Sequence, residues 1–203
     1  MSSTRTILTW VALAICLAIP IAAAATSPLL AWREPIYIVA GFAGIIAMGF
    51  MLLQPLLMGK YLPGLSSLRY RQAHRWIGGF LVIAIVIHVG GLWITSPPDV
   101  VDALLFASPT PFSVWGVTAM WLVFITALLA ALRRPFRIRP RTWRVFHTIS
   151  FVMIVLGTVI HAMLIDGTME TFSKAALSAL LLIATVKVIA DLRVWTVLQR
   201  NRS

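Results

Sequence analysis

The chain has 203 residues, 60% of them hydrophobic and only 11% charged, with a mean hydropathy of +0.94. A soluble domain carries about 25% charged residues, so a water-soluble globule is excluded and an integral membrane protein is expected. The net charge of +11 then belongs to membrane topology rather than to nucleic acid, because Lys and Arg collect in cytoplasmic loops, and the single cysteine, Cys16, excludes an internal disulfide and a cysteine metal cluster.

A helix that crosses a bilayer needs about 20 apolar residues. Six segments qualify: 7–25, 36–58, 73–94, 112–132, 145–165 and 175–197. The first, with Arg5 ahead of it and an alanine run at 22–25, also reads as a signal peptide. Its 19 apolar residues exceed the usual apolar stretch of such a peptide, so an uncleaved first helix is expected. The second segment is followed by Pro63-Gly64, Lys60, Arg69 and Arg71, and the third carries His74, Arg75 and His88. The connection 95–111, with Pro97-Pro98, Pro109, Pro111, Asp99 and Asp102, reads as an outer loop.

The fourth segment gives way to Arg133, Arg134, Arg137, Arg139, Arg141 and Arg144, with Pro135 and Pro140 as breakers. The fifth segment carries His147 and His161. The sixth holds Lys187 and Asp191, an i,i+4 pair read as a snorkelling ion pair, and is followed by Arg193, Arg200 and Arg202. The opposite connections are poor in base: Arg33 beside Glu34, and Lys174 beside Asp166 and Glu170. Both termini are therefore expected in the cytoplasm, with a bacterial inner (plasma) membrane as the location. Trp32, Trp76, Trp93, Trp143 and Trp195 suit the interfacial belts. The expected fold is all-α, one domain over 1–203, a six-helix transmembrane bundle.

The four histidines form two pairs with one spacing: His74 and His88 are 14 residues apart, as are His147 and His161. Fourteen residues at about 100° each fall within about 40° of four full turns. Each pair thus lies on one helix face, separated by about 21 Å of rise. The third and fifth segments run in the same direction, so His74 and His147 share a depth near the basic end, and His88 and His161 share a depth near the other. Zinc and copper usually take three or four protein ligands, and no further His, Cys or acid lies at either depth. Haem brings four nitrogens and needs two axial ligands, a role imidazole often fills. Two stacked bis-histidine haem sites between the third and fifth helices are expected, the irons held by His74 with His147 and by His88 with His161. The competing reading, four helix–helix hydrogen bonders, leaves the doubled spacing unexplained.

Gly78, Gly157 and Gly91 lie three or four residues from a histidine. A missing side chain there lets a flat ring approach the backbone, or lets helices pack. Arg75 and Arg144, with Arg71 and Arg141, flank the inner histidines and suit haem propionates, or set topology alone. Leu81 and Ile154, seven residues past the inner ligands, fall at mid-height, and Phe151 is a candidate contact at a ring edge.

The strings YRQAHRWIGGFLVIAIVIHVGGLW and RTWRVFHTISFVMIVLGTVIHAMLID resemble the third and fifth helices of the ferric reductase-like transmembrane superfamily. That group includes ferric reductases, NADPH oxidases and the haem membrane subunit of a periplasmic methionine sulfoxide reductase system. The resemblance implies two b-type haems, one near each face, ligands at His74, His88, His147 and His161, and electrons moving from the cytoplasm outward. Full reductases append a flavin and nicotinamide domain. No G-x-G-x-x-G follows a strand here, so the implied donor is separate: a flavoprotein, a bound flavin or a quinol. The implied acceptor is a ferric chelate first, with oxygen or a periplasmic protein as alternatives, and the chain would be an oxidoreductase component surrounded by membrane lipid. Two other readings stay open. One is a haem subunit delivering electrons to a periplasmic oxidoreductase such as a methionine sulfoxide reductase. The other is a haem-free scaffold or transporter, against which the lack of charge at mid-bilayer argues.

Overall fold

The computed structural model describes residues 3–192, and every regular element among them is helical. In chain order these are α1 (Ser3–Ala25), a 3₁₀ turn (Pro28–Leu30), α2 (Pro35–Met58), α3 (Ser67–Thr95), α4 (Pro97–Leu104), α5 (Ser113–Leu132), α6 (Pro140–Leu164) and α7 (Thr171–Asp191). All but α4 and the 3₁₀ turn are long and apolar enough to cross a bilayer, and they are the six segments expected. The end of the last expected segment (193–197), Trp195, Arg193, Arg200 and Arg202 lie outside the described residues.

Proline explains where the elements differ from expectation. Pro97-Pro98 and Pro140 were expected as breakers, yet each opens a helix, as Pro35 does. At the first helical positions the missing N–H costs nothing and the fixed φ already suits a helix. The connection 95–111 therefore contains α4, and α6 begins at Pro140 rather than at Val145. At the start of α3 the Ser66 hydroxyl accepts from the Arg69 amide at 3.3 Å, which moves that start forward to Ser67. Glu170 caps α7, accepting from the Phe172 and Ser173 amides at 2.8 Å each. The Ser173 hydroxyl and these amides hold the Glu170 carboxyl below its ordinary range.

α2 and α3 pack as one hairpin, and α5 and α6 as another. α7 joins them by packing on α2 and α6, and α3 touches α5, so α2, α3, α5, α6 and α7 close a ring; α1 lies outside it against α2 and α7. The histidine helices α3 and α6 do not pack extensively on each other. One apolar cluster fills mid-height, including Met48, Met51, Leu81, Val123, Ile154 and Leu181. Leu81 and Ile154 are both buried there, and Phe151 packs at its margin. Phe80, Ile83, Ile125 and Ile183 are exposed, as a lipid-facing surface requires.

At the basic end, Lys187 pairs with Asp191 at 3.0 Å, and the Tyr61 hydroxyl donates to the same carboxylate at 2.5 Å. The pair expected within one helix thus also ties the α2–α3 connection to α7. Burial and then the Asp191 carboxylate push the Tyr61 hydroxyl up to about 12, so it stays a donor at neutral pH. The Trp10 indole N–H donates to the Pro63 carbonyl at 3.2 Å and fastens α1 to the same connection.

Candidate functional site

The two histidine helices bring the four imidazoles together at two depths. His74 and His147 meet with ring centroids 6.0 Å apart and planes at 81°. His88 and His161 line one cavity of about 710 Å³, a size typical of small-molecule and cofactor sites. Its floor is apolar, with Met48, Met51, Met120 and Val123, and its mouth is polar, with Arg33, Asp99 and Lys174.

The outer imidazoles are held by backbone. His88 Nδ1 lies 2.7 Å from the Ala40 carbonyl of α2, and His161 Nδ1 lies 2.9 Å from the Phe112 carbonyl at the start of α5. A carbonyl only accepts, so each Nδ1 carries the proton and donates, and each Nε2 keeps a free lone pair. Metal-ligating imidazoles are commonly oriented in this way.

Both acceptors are followed four residues later by glycine, Gly44 after Ala40 and Gly116 after Phe112. A Cβ on Gly116 would sit 2.6 Å from His161 Nδ1, and one on Gly44 3.0 Å from His88 Nδ1. A helical carbonyl is flanked by the side chain one turn on, at i+4, so glycine at that position opens the path for the ring. Sequence reasoning missed this pair. The carbonyl–glycine spacing carries no signal until the partner histidines are known.

The inner pair is supported differently. His147 stacks on Trp143, centroids 5.0 Å apart and planes at 19°, and the Arg133 guanidinium lies over that indole at 5.7 Å. Trp143, expected only as an interfacial residue, is also the platform for a histidine. His74 Nδ1, His147 Nδ1, Gln54 Oε1 and Thr126 Oγ1 are buried without a hydrogen-bond partner among the described residues.

Arg75 and Arg144 stand exposed beside the inner pair. The ion pairs among the described residues include Lys174–Asp166 and Lys187–Asp191, and neither Arg75 nor Arg144 is paired with a carboxylate among the described residues. The glycines expected to make room for a ring fare differently. A Cβ on Gly157 would lie 3.0 Å from the Trp115 carbonyl and 3.3 Å from Ala119 Cβ, so α5 fills that space and the residue serves helix packing. Gly91 likewise faces Ala40 at 2.8 Å. A Cβ on Gly78 would make only an ordinary contact with Gln54 Nε2, at 3.5 Å. Gly157→Leu should therefore force α5 from α6 and lower stability by about 1–3 kcal/mol, read as a fall in the thermal unfolding midpoint in detergent. Gly79→Leu is the control, since a Cβ there meets nothing.

Among the described residues no three His, Cys, Asp or Glu side chains converge on one point. Each pair thus suits a centre whose remaining ligands come with a cofactor. The sequence pattern of the ferric reductase like transmembrane component matches residues 40–158. That stretch starts at the His88 acceptor Ala40 and takes in His74, His88, Gly116 and His147, with His161 three residues past its end. No curated protein and no solved structure matches the chain. The matched stretch covers more than half of the 203 residues and the core of both histidine helices, and the chain belongs to the ferric reductase like transmembrane component family.

Proposed function

We propose that the chain is a transmembrane electron conduit that holds two b-type haems, one between His74 and His147 and one between His88 and His161. The observation that carries this reading is the 6.0 Å between the inner imidazole centroids, across two helices that pack on each other only slightly. Two imidazole–metal bonds of about 2 Å each, with a ring radius added at either end, span about 6 Å. The outer pair supports it through two free Nε2 atoms on the wall of a large, apolar-floored cavity. Family membership supports transmembrane electron transfer in its own right.

Bound at these positions, haem supplies reversible one-electron redox chemistry. The protein's residues supply the rest. The Ala40 and Phe112 carbonyls set the outer tautomers and raise the basicity of each Nε2. Leu81, Ile154, Met51 and Val123 keep water out of the layer between the two depths. A haem held by two histidines at each depth would supply electron transfer to an acceptor that does not bind its iron. The arginines at 133–144 give the entry side a positive field that draws an anionic donor. Such a donor is a flavoprotein or a flavin, whereas a quinol, being neutral, would arrive through the lipid instead; a ferric chelate is the acceptor.

The test is the haem-to-protein ratio of the purified protein, with a dithionite-reduced-minus-oxidised spectrum. Two b haems per chain with sharp low-spin bands are expected. One haem would break the two-site reading, and none after expression with added haemin would overturn it entirely.

A further inference from the structure

Lys174 stands near the start of α7 with its side chain only 5% exposed, and it lines the same cavity as His88 and His161. Its Nζ donates to the Ile165 carbonyl at 2.7 Å. Of the acids around the mouth, Glu34, Asp99, Asp102, Asp166 and Glu170, only Asp166 comes as near as 4.0 Å, and that carboxylate is fully exposed. An ammonium has three donors; one goes to the Ile165 carbonyl, Asp166 pairs only at 4.0 Å, and no further hydrogen-bond acceptor meets the ammonium among the described residues. A buried charge this thinly satisfied is costly unless a further anion meets it.

The lysine is also held in place. Its acceptor carbonyl begins the turn 165–170, and within that turn Thr168 is buried so close to Gly41 of α2 that a Cβ there would lie 2.5 Å from its methyl. A second cation, Arg33, lines the mouth from the α1–α2 connection, its guanidinium 4.8 Å above the Tyr37 ring. Below these cations the cavity wall carries His88, His161 and Thr158 and is otherwise mostly apolar down to Met51 and Val123. The complementary ligand has an apolar body and an anionic edge.

We propose that Lys174 is a carboxylate-binding residue at the mouth of the outer cavity. One source of that carboxylate is a propionate of the haem held by His88 and His161, which rests on the function proposed above. The other is a soluble carboxylic acid entering from the outer face. A guanidinium can replace the ammonium in this role, whereas the isosteric Met cannot.

The experiment compares the full-length wild type with Lys174→Met and Lys174→Arg, with haem labelled at its propionate carbons. Haem content, the outer-haem midpoint and the reduced-minus-oxidised infrared carboxylate bands are read with and without citrate. For a propionate, Lys174→Met should shift the outer-haem equilibrium about tenfold toward the oxidised form, about 59 mV. It should also move the labelled band without citrate, and Lys174→Arg should restore both. Loss of the outer haem in Lys174→Met, with retention in Lys174→Arg, supports the same assignment. For a soluble acid, the wild type should respond to citrate and Lys174→Met should not. Two bound haems with unmoved bands and no citrate response overturn the proposal. A wild type without haem overturns the electron-conduit reading instead. The lysine site is then judged by citrate binding alone, which Lys174→Met must abolish if the proposal holds.

Discussion

Replacing His161 by alanine should halve the haem content and leave the His74/His147 centre spectrally unchanged. The reason is geometric. His161 and His88 share one cavity, whereas His74 faces His147 at 6.0 Å. Each histidine pair draws one residue from α3 and one from α6. The two depths are separated by about 21 Å of helix rise, far enough for substitutions at one to act independently of the other. His88→Ala should remove the same haem as His161→Ala, and the double variant should lose no more. His74→Ala and His147→Ala should remove the other haem. Haem quantitation with low-temperature reduced spectra separates the cases. Loss of one and the same haem in His161→Ala and His74→Ala would show that the imidazoles do not pair by depth.

The second large effect is expected at a residue that carries no chemistry of its own. Gly116→Val should displace the His161 ring, because even the first added carbon falls 2.6 Å from Nδ1. The displaced ring loses its bond to the Phe112 carbonyl and its aim at the cavity. Removing the partner that orients a metal-ligating histidine costs about 10- to 100-fold in affinity, so the outer haem should be lost or become high-spin while the inner one stays. Gly44→Val should act on His88 in the same direction but more mildly, since the approach there is 3.0 Å. The readout is retention of each haem against an apomyoglobin chase. Gly79→Val, facing open space, should retain both haems. Equal retention in Gly116→Val and wild type would remove the glycine from any role in holding the ring.

What could be read from the sequence was what repeats along one helix. Fourteen residues nearly close four turns, so the doubled spacing reported a shared face without knowledge of any neighbour. The six apolar runs reported spans for the same reason. Features set between helices left no such trace. The Ala40 and Phe112 carbonyls, the room beside Gly44 and Gly116, and the stacking of Trp143 on His147 depend on which helix lies next to which. Gly157 shows the converse. Its place four residues before His161 suggested space for a ring, but α5 occupies that space. Lys174 looked like one more loop charge, and only the fold of 165–170 over α7 reveals that it is buried. The prolines misled locally, because a residue that ends one helix is equally suited to begin the next.

The division of the bundle into two hairpins bears on how the protein is made. His74 and His88 leave the ribosome with the first hairpin, and His147 follows His88 by 59 residues. At about 5–20 residues per second, that gap lasts about 3 to 12 seconds. During it the early imidazoles sit in the membrane without their counterparts, and neither pair exists. Because each pair is split between hairpins, a nascent chain stalled before α6 presents no complete ligand set at either depth. Under the proposed haem reading, occupancy of the histidine pairs would thus require that both halves have been inserted and docked.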